Sequence, residues 1–212
     1  MPIKSDREYR RIQSIECRKM EGDGMAVEGY ATTFAQPYEL WKDEHVTVYE
    51  QVDPNAFDDC DMSDVIMQYD HEGRVFARIS NGTLKVTPDE HGLHIRADLS
   101  GTEIGRQLFE EIDGGYTNKM SFGFTVTGDR REETQEADGR IRVLRTILKI
   151  GKLYDVSAVS LPANDATEIS ARSIGDGLIA EALKEVQAAQ ERRRRIKALE
   201  LEIELGVEND EN

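Results

Sequence analysis

GLHIRADL, residues 92–99, sets Leu93, Ile95, Ala97 and Leu99 on one side and His94, Arg96 and Asp98 on the other. A period of two marks a half-buried β-strand, because successive strand side chains point to opposite faces. Similar short runs rich in Val, Ile, Thr and aromatic residues lie on either side of it. They are AVEGYATTF (26–34), HVTVYEQV (45–52), DVIMQYD (64–70), RVFARI (74–79), TLKV (83–86), SFGFTVT (121–127), IRVLRTILKI (141–150) and LYDVSAVSL (153–161). Turn signals such as Asn81-Gly82 and Asp138-Gly139 separate them. Strands at this density predict a strand-rich body over about residues 10–170, folded as a barrel or curled sheet. One helix interrupts it: Thr102 is placed to cap, Ile104, Leu108 and Ile112 keep helical spacing, and Gly114-Gly115 stops it. The polar stretch GDRREETQEADGR (128–140) reads as an exposed hairpin loop.

After about residue 172 the composition changes. From Gly177 to Leu205 strong helix formers dominate, and Ile179, Leu183, Val186, Ala189, Ile196, Leu199 and Ile203 follow three/four spacing around the Arg192–Arg195 run. Such a stripe can pack on the body, pair with another helix or bind a partner. Acidic residues outnumber basic ones in this tail, so the arginine run reads as a solvated or salt-bridged face. The terminal VENDEN is expected to be disordered.

Charge and composition narrow the function. The chain has 212 residues, with 27 Lys+Arg against 42 Asp+Glu, a formal charge of -15. So acidic a surface repels phosphates and anionic lipid, which argues against nucleic acid and membrane partners. No apolar run approaches the roughly 20 residues of a spanning helix. The charged N-terminus has no apolar signal core, so the protein is expected to stay in the compartment where it is made. Cys17 and Cys60 lack metal-site spacing and read as reduced thiols. With no phosphate loop, no G-x-G-x-x-G and no H-E-x-x-H, the chain is read without metal or cofactor.

Three short phrases offer chemistry. His71 closes the apolar run VIMQY and meets a turn, where an imidazole can be fixed yet reach a cleft; taken alone, a turn histidine bonded to Asp70 or Glu72 is the plainer reading. Ser121, in NKMSFGF, starts an apolar strand, and Gly123 lets a backbone approach closely; an ordinary strand serine is the plainer reading here too. Asp155 sits in the apolar strand KLYDVSAVSL, where a carboxylate is costly to bury unless paired. Its partner is a histidine ring, as in a catalytic triad, or an arginine such as Arg78 or Arg145. Together the three supply a base, a nucleophile and an orienting acid, enough to propose acyl transfer.

GYATTF, DPNAF, DHEGRVFARIS, GLHIRADL, NKMSFGF and YDVSAVSLPANDAT, in this order and spacing, resemble the prohead maturation proteases of tailed bacteriophages. Family phrases of that kind are G-Y-A…F, P-G-A-F, a strand ending in an Asn/Asp-His pair, S-x-G-F, and a Glu- or Asp-Val-Ser strand leading to P-A-N-x-x-A. The match covers about residues 27–170. It implies an α+β, mostly β fold related to the herpesvirus assemblin proteases: a bent β-barrel core with flanking helices, here followed by a helical tail. It implies a serine endopeptidase with His71 and Ser121 catalytic and Asp155 as third member. Asp155 stands where relatives often have Glu, and Asn55 replaces the usual Gly of P-G-A-F. The implied domains are residues 1–172, the protease, and 173–212, a tail that docks to the scaffold and is then removed. The implied partners are the major capsid protein with its scaffold segment, and further copies of the protease. The implied place of action is the prohead interior in the host bacterial cytoplasm. A non-enzymatic capsid scaffold or assembly protein, mostly helical, is the rival reading.

Overall fold

The computed structural model describes residues 7–19, 24–42, 44–160 and, near the C-terminus, 188, 191–192 and 194–196. The chain divides into two compact units, Met1–Ser173 and Ile174–Asn212. The described positions of the second unit are helical, and Ile196, one member of the expected stripe, is 55% exposed there. The rest of that stripe, the PANDAT turn and VENDEN lie outside the described residues.

Among the described residues, the first unit holds ten strands and one helix. In chain order they are β1 (Glu8–Lys19), β2 (Ala26–Thr33), β3 (Tyr38–Lys42), β4 (Val46–Val52), β5 (Ile66–Tyr69), β6 (Glu72–Arg78), β7 (Leu84–Pro88), β8 (Gly92–Asp98), α1 (Glu103–Asp113), β9 (Lys119–Gln135) and β10 (Ile141–Val159). The fold is therefore α+β and mostly β. GLHIRADL behaves as its alternation predicts: Leu93, Ile95, Ala97 and Leu99 are fully buried, while Asp98 is exposed. In α1 the Thr102 hydroxyl accepts from the Gly105 N–H at 3.0 Å, while the Gly114 N–H closes the helix onto the Glu110 carbonyl and Leu108 and Ile112 enter the core. That core continues through Met67, Phe122, Phe124, Ile147, Ile150 and Leu153.

The strands follow the order β3-β4-β10-β9-β1-β2-β8-β7. β10 organises the site. Along one edge it pairs antiparallel with β9, and along the other it pairs parallel first with β4 and then, from Asp155 to Ala158, with β5. β6 pairs only with β5 among the described residues, so the β5–β6 hairpin lies beside the C-terminal half of β10.

Three expectations change. The sheet curls, but it does not close into a barrel among the described residues: the end of β2 meets the end of β4 through a single bridge, Phe34 to Val52. Beyond that bridge, Ala35 turns at φ 53 and Pro37 has no N–H to continue a ladder. The 128–140 stretch is not a loop, since β9 runs on to Gln135 and pairs with β10 from Ile141 onward, leaving only a tip at 136–140. Charged residues tolerate strand structure there because they pair across it, as Asp129 does with Arg145 at 2.6 Å. The runs the sequence separates at 150/153 belong to one strand, β10 (Ile141–Val159), whose shifts in register around Lys149, Ile150 and Lys152 absorb the irregularity the sequence reads as a break.

Candidate active site

His71 occupies the tip of the β5–β6 hairpin. Tyr69 pairs with Glu72, leaving Asp70 and His71 as a two-residue loop, and both adopt positive φ, 49 and 61. Two left-handed residues in succession are the signature of a type I′ turn, which matches the right-handed twist of the strands. Asp and His tolerate that region better than most non-glycine residues. The tip is tied down at Asp70: its N–H donates to the Ala158 carbonyl at 3.0 Å and its carboxylate accepts the Ser160 hydroxyl at 3.0 Å. A strained two-residue turn is thereby anchored to the end of β10.

Ser121 and Asp155 come from neighbouring strands. On the β9–β10 ladder, Ser121 faces Ser157 and Gly123 faces Asp155. Parallel pairing of Asp155–Ala158 with Ile66–Tyr69 brings the hairpin tip back over this patch. The three residues named from sequence converge as a result. His71 Nε2 lies 2.5 Å from Ser121 Oγ, and His71 Nδ1 lies 2.5 Å from Asp155 Oδ1. Ser121 and Asp155 are fully buried, and the His71 side chain is 9% exposed. The arginines weighed as partners for Asp155 are engaged elsewhere: Arg78 with Asp64, Arg145 with Glu50, Glu8 and Asp129.

The contacts allow a proton relay. With Nδ1 carrying its proton toward Asp155, Nε2 presents a lone pair to the Ser121 hydroxyl. The hydroxyl has a second acceptor in the Arg10 carbonyl, 2.8 Å away on β1. One O–H cannot serve both acceptors fully, so transfer of the proton to the ring requires it to lie toward Nε2. In this water-poor setting the carboxylate's field on the ring is stronger than it would be in solvent. Asp155 Oδ2 is buried with no hydrogen bond, and Arg7 Nη1 stands 3.8 Å from it. The Tyr9 ring packs edge-on against the imidazole, with centroids 4.5 Å apart. Gly123 makes room for the acid: a Cβ there would collide with Asp155 Oδ2 and lie 2.8 Å from the Tyr9 ring.

Sequence reading did not single out Tyr9, Arg10 or Ser157. The short-range signal for Tyr9 and Arg10 was the alternation of EYRR, hidden by the charge of the N-terminus. His91 and His94 stand apart: Tyr30 packs against both, and His94 lies 3.6 Å from Glu28. Cys60 is a free thiol that partial burial pushes up to about 11, which leaves it a poor nucleophile at neutral pH. Among the described residues no His/Cys/Asp/Glu group is arranged to hold a metal, and no helix is long and apolar enough to cross a membrane.

A groove of about 380 Å³ runs beside the hairpin, between it and α1, lined by Tyr69, Glu72, Phe76, Ile104 and Leu108 among others. In comparison with known proteins, a model of the caudovirus prohead serine protease family aligns with residues 13–189. No curated protein and no solved structure matches the chain.

Proposed function

The chain belongs to the caudovirus prohead serine protease family and is a serine peptidase of phage capsid maturation, acting inside the host cell; on that premise we propose that Ser121, His71 and Asp155 are its catalytic triad. The observation that carries the assignment is the unbroken path from Ser121 Oγ through both ring nitrogens of His71 to Asp155 Oδ1, with 2.5 Å at each step. Family membership sets aside the non-enzymatic scaffold reading.

In the proposed reaction Ser121 Oγ attacks the scissile carbonyl carbon while His71 Nε2 takes the hydroxyl proton. The same proton then passes from Nε2 to the departing amine as the C–N bond breaks, leaving an ester on Ser121. Water, deprotonated by Nε2, attacks that ester, and the proton returns to Ser121 Oγ as the acid product leaves. Asp155 Oδ1 holds the Nδ1–H tautomer and offsets the ring's transient positive charge.

The substrate is the scaffold segment of the major capsid protein, cut inside the immature capsid, and the enzyme also cuts itself. The protease occupies residues 1–172, and residues 173–212 dock to the helical scaffold before removal. The likeness of its phrases to the phage prohead proteases supports a more distant kinship with the herpesvirus assemblins. The substrate chain lies in the groove beside the hairpin, close in sequence to the base. Ile104→Glu, in its wall, is then expected to raise KM several-fold with kcat retained; an unchanged KM moves the substrate elsewhere.

The direct test is incubation of capsid protein precursor with wild-type chain and with Ser121→Ala, followed on denaturing gels. The reading predicts that only the wild type removes the scaffold segment and loses its own tail. Cleavage by Ser121→Ala would refute the nucleophile. Precursor left whole by an active wild type would refute the substrate. Deleting residues 173–212 without loss of incorporation into proheads would refute the docking role.

A further inference from the structure

We propose that Ser157 is a positioning residue of this peptidase, holding the Asp155 carboxylate so that Oδ1 stays on the His71 ring during proton transfer; the proposal rests on the triad reading above. Ser157 is fully buried, two residues from Asp155 on β10 and directly opposite Ser121 on β9. Residues two apart on a strand share a face, so its hydroxyl comes to the same patch. It donates to Asp155 Oδ1 at 2.9 Å and lies 3.3 Å from His71 Nδ1.

The choice of oxygen carries the inference. A buried carboxylate has two oxygens to satisfy, and a donor placed only for solvation would go to the one without a hydrogen bond. Here two donors, His71 Nδ1 and Ser157 Oγ, converge on Oδ1, while Oδ2 has no hydrogen bond and is faced by Arg7 Nη1 at 3.8 Å, beyond hydrogen-bond reach. Rotation about the bond to an aspartate carboxylate is soft and nearly two-fold, so Oδ1 and Oδ2 exchange unless something fixes the plane. The Ser157 hydroxyl fixes it from β10. The bare α-carbon of Gly123 accommodates Oδ2 from β9, where a Cβ would collide with it. Ser157 is poorly placed to act as nucleophile, because its nearest ring nitrogen is Nδ1, which already faces Asp155.

The measurement is the rate at which the full-length protein is modified at Ser121 by a fluorophosphonate, resolved into kinact and KI, with thermal midpoints alongside. Ser157→Ala is expected to lower kinact about 10-fold, the scale of one charge-assisted hydrogen bond, with KI unchanged. Ser157→Thr keeps the hydroxyl and should restore most of the rate. Ser157→Cys keeps the buried volume with a weak donor; it should be as slow as Ala and guards against failure of Ala to fold. In an Asp155→Ala background, Ser157→Ala should cost nothing further, since its effect passes through the carboxylate. Wild-type kinact in both Ser157→Ala and Ser157→Cys would overturn the proposal. So would a full additional loss in the Asp155→Ala background, or a change confined to KI. If Asp155→Ala alone reacted at the wild-type rate, the triad reading itself would fail, separately from the role of Ser157.

Discussion

Strand β1 separates two buried ionic clusters, one on each side of its backbone. Tyr9 points to the side of His71, Ser121 and Asp155. Its neighbours Glu8 and Arg10 point the other way, to a network around Glu50. There, Glu50 Oε1 accepts from Arg10 Nε at 2.5 Å and from the Tyr38 hydroxyl at 2.6 Å. Glu50 Oε2 accepts from Arg10 Nη2 at 2.9 Å and Arg145 Nη1 at 2.8 Å. Arg145 continues to Glu8 and Asp129, and Arg10 reaches back to Glu8. Burial alone would raise Glu50, but the two guanidinium groups hold its carboxyl below the usual glutamate range. Burial and the Glu50 charge push the Tyr38 phenol well up. Every lone pair of that carboxylate has a donor, and its cationic partners cannot lose their charge in any ordinary pH range.

The His71 side is built on the opposite plan. Asp155 keeps one oxygen without a hydrogen bond, its partner is a ring that can gain and lose a proton, and the ring sits on a turn of two left-handed residues. A closed network of fixed charges stabilises one arrangement, while an open one with a titratable member can pass a proton. On this division the Glu50 side supplies stability and the His71 side is the one suited to chemistry.

The largest effect should come from the open cluster. His71→Ala or Ser121→Ala is expected to lower peptidase activity by roughly 10⁴-fold or more with little change in melting temperature; a large drop in melting temperature would blur the division. Next comes the closed cluster. Glu50→Gln leaves Arg10 and Arg145 short of their central charge and should cost about 3–5 kcal/mol by denaturant titration, while folded protein retains near-normal kcat. Gly123→Ala pushes a methyl group into Asp155 Oδ2 and the Tyr9 ring. It should cost roughly 100-fold in kcat, as small misplacements of catalytic groups do.

Legibility in the sequence follows the same division. The strand faces of GLHIRADL and the Thr102 cap were readable because they depend on neighbours two to four residues away. His71, Ser121 and Asp155 were nameable because family phrases mark them, although residue chemistry alone left Asp155 between a histidine and Arg78 or Arg145. β1 was not read as a strand. In EYRRIQSIECRK the charges of Glu8 and Arg10 look solvated, and their partners Glu50 and Arg145 lie far along the chain. β3 was missed as well, since YELWK is too short and mixed to carry a clear period. The continuity of β9 through a run of charges was hidden for the same reason as β1: the compensating residue, Arg145, sits on another strand.

A smaller effect tests the hairpin anchor. Asp70→Ala loses the bond to Ser160 and places a less tolerant residue at φ 49. It should lower kcat about 10-fold, with Asp70→Asn, which tolerates that conformation, recovering part of it. The smallest effect is in pH. Because the folded state lowers the Glu50 pKa, the unfolded chain binds more protons as the medium turns acidic. The stabilisation is complete above the ordinary glutamate value of about 4.3 and is lost as pH falls through the lowered folded value. Melting temperatures of wild type and Glu50→Gln should converge as pH is lowered across that window; a constant gap would mean that Glu50 is not ionised in the fold.

The most direct test of the central claim is the site of covalent modification by a fluorophosphonate, mapped by peptide mass spectrometry. A single adduct on Ser121 is expected, absent in Ser121→Ala and strongly slowed in His71→Ala. An adduct on Ser157 or another serine, or undiminished modification of Ser121 without His71, would contradict it.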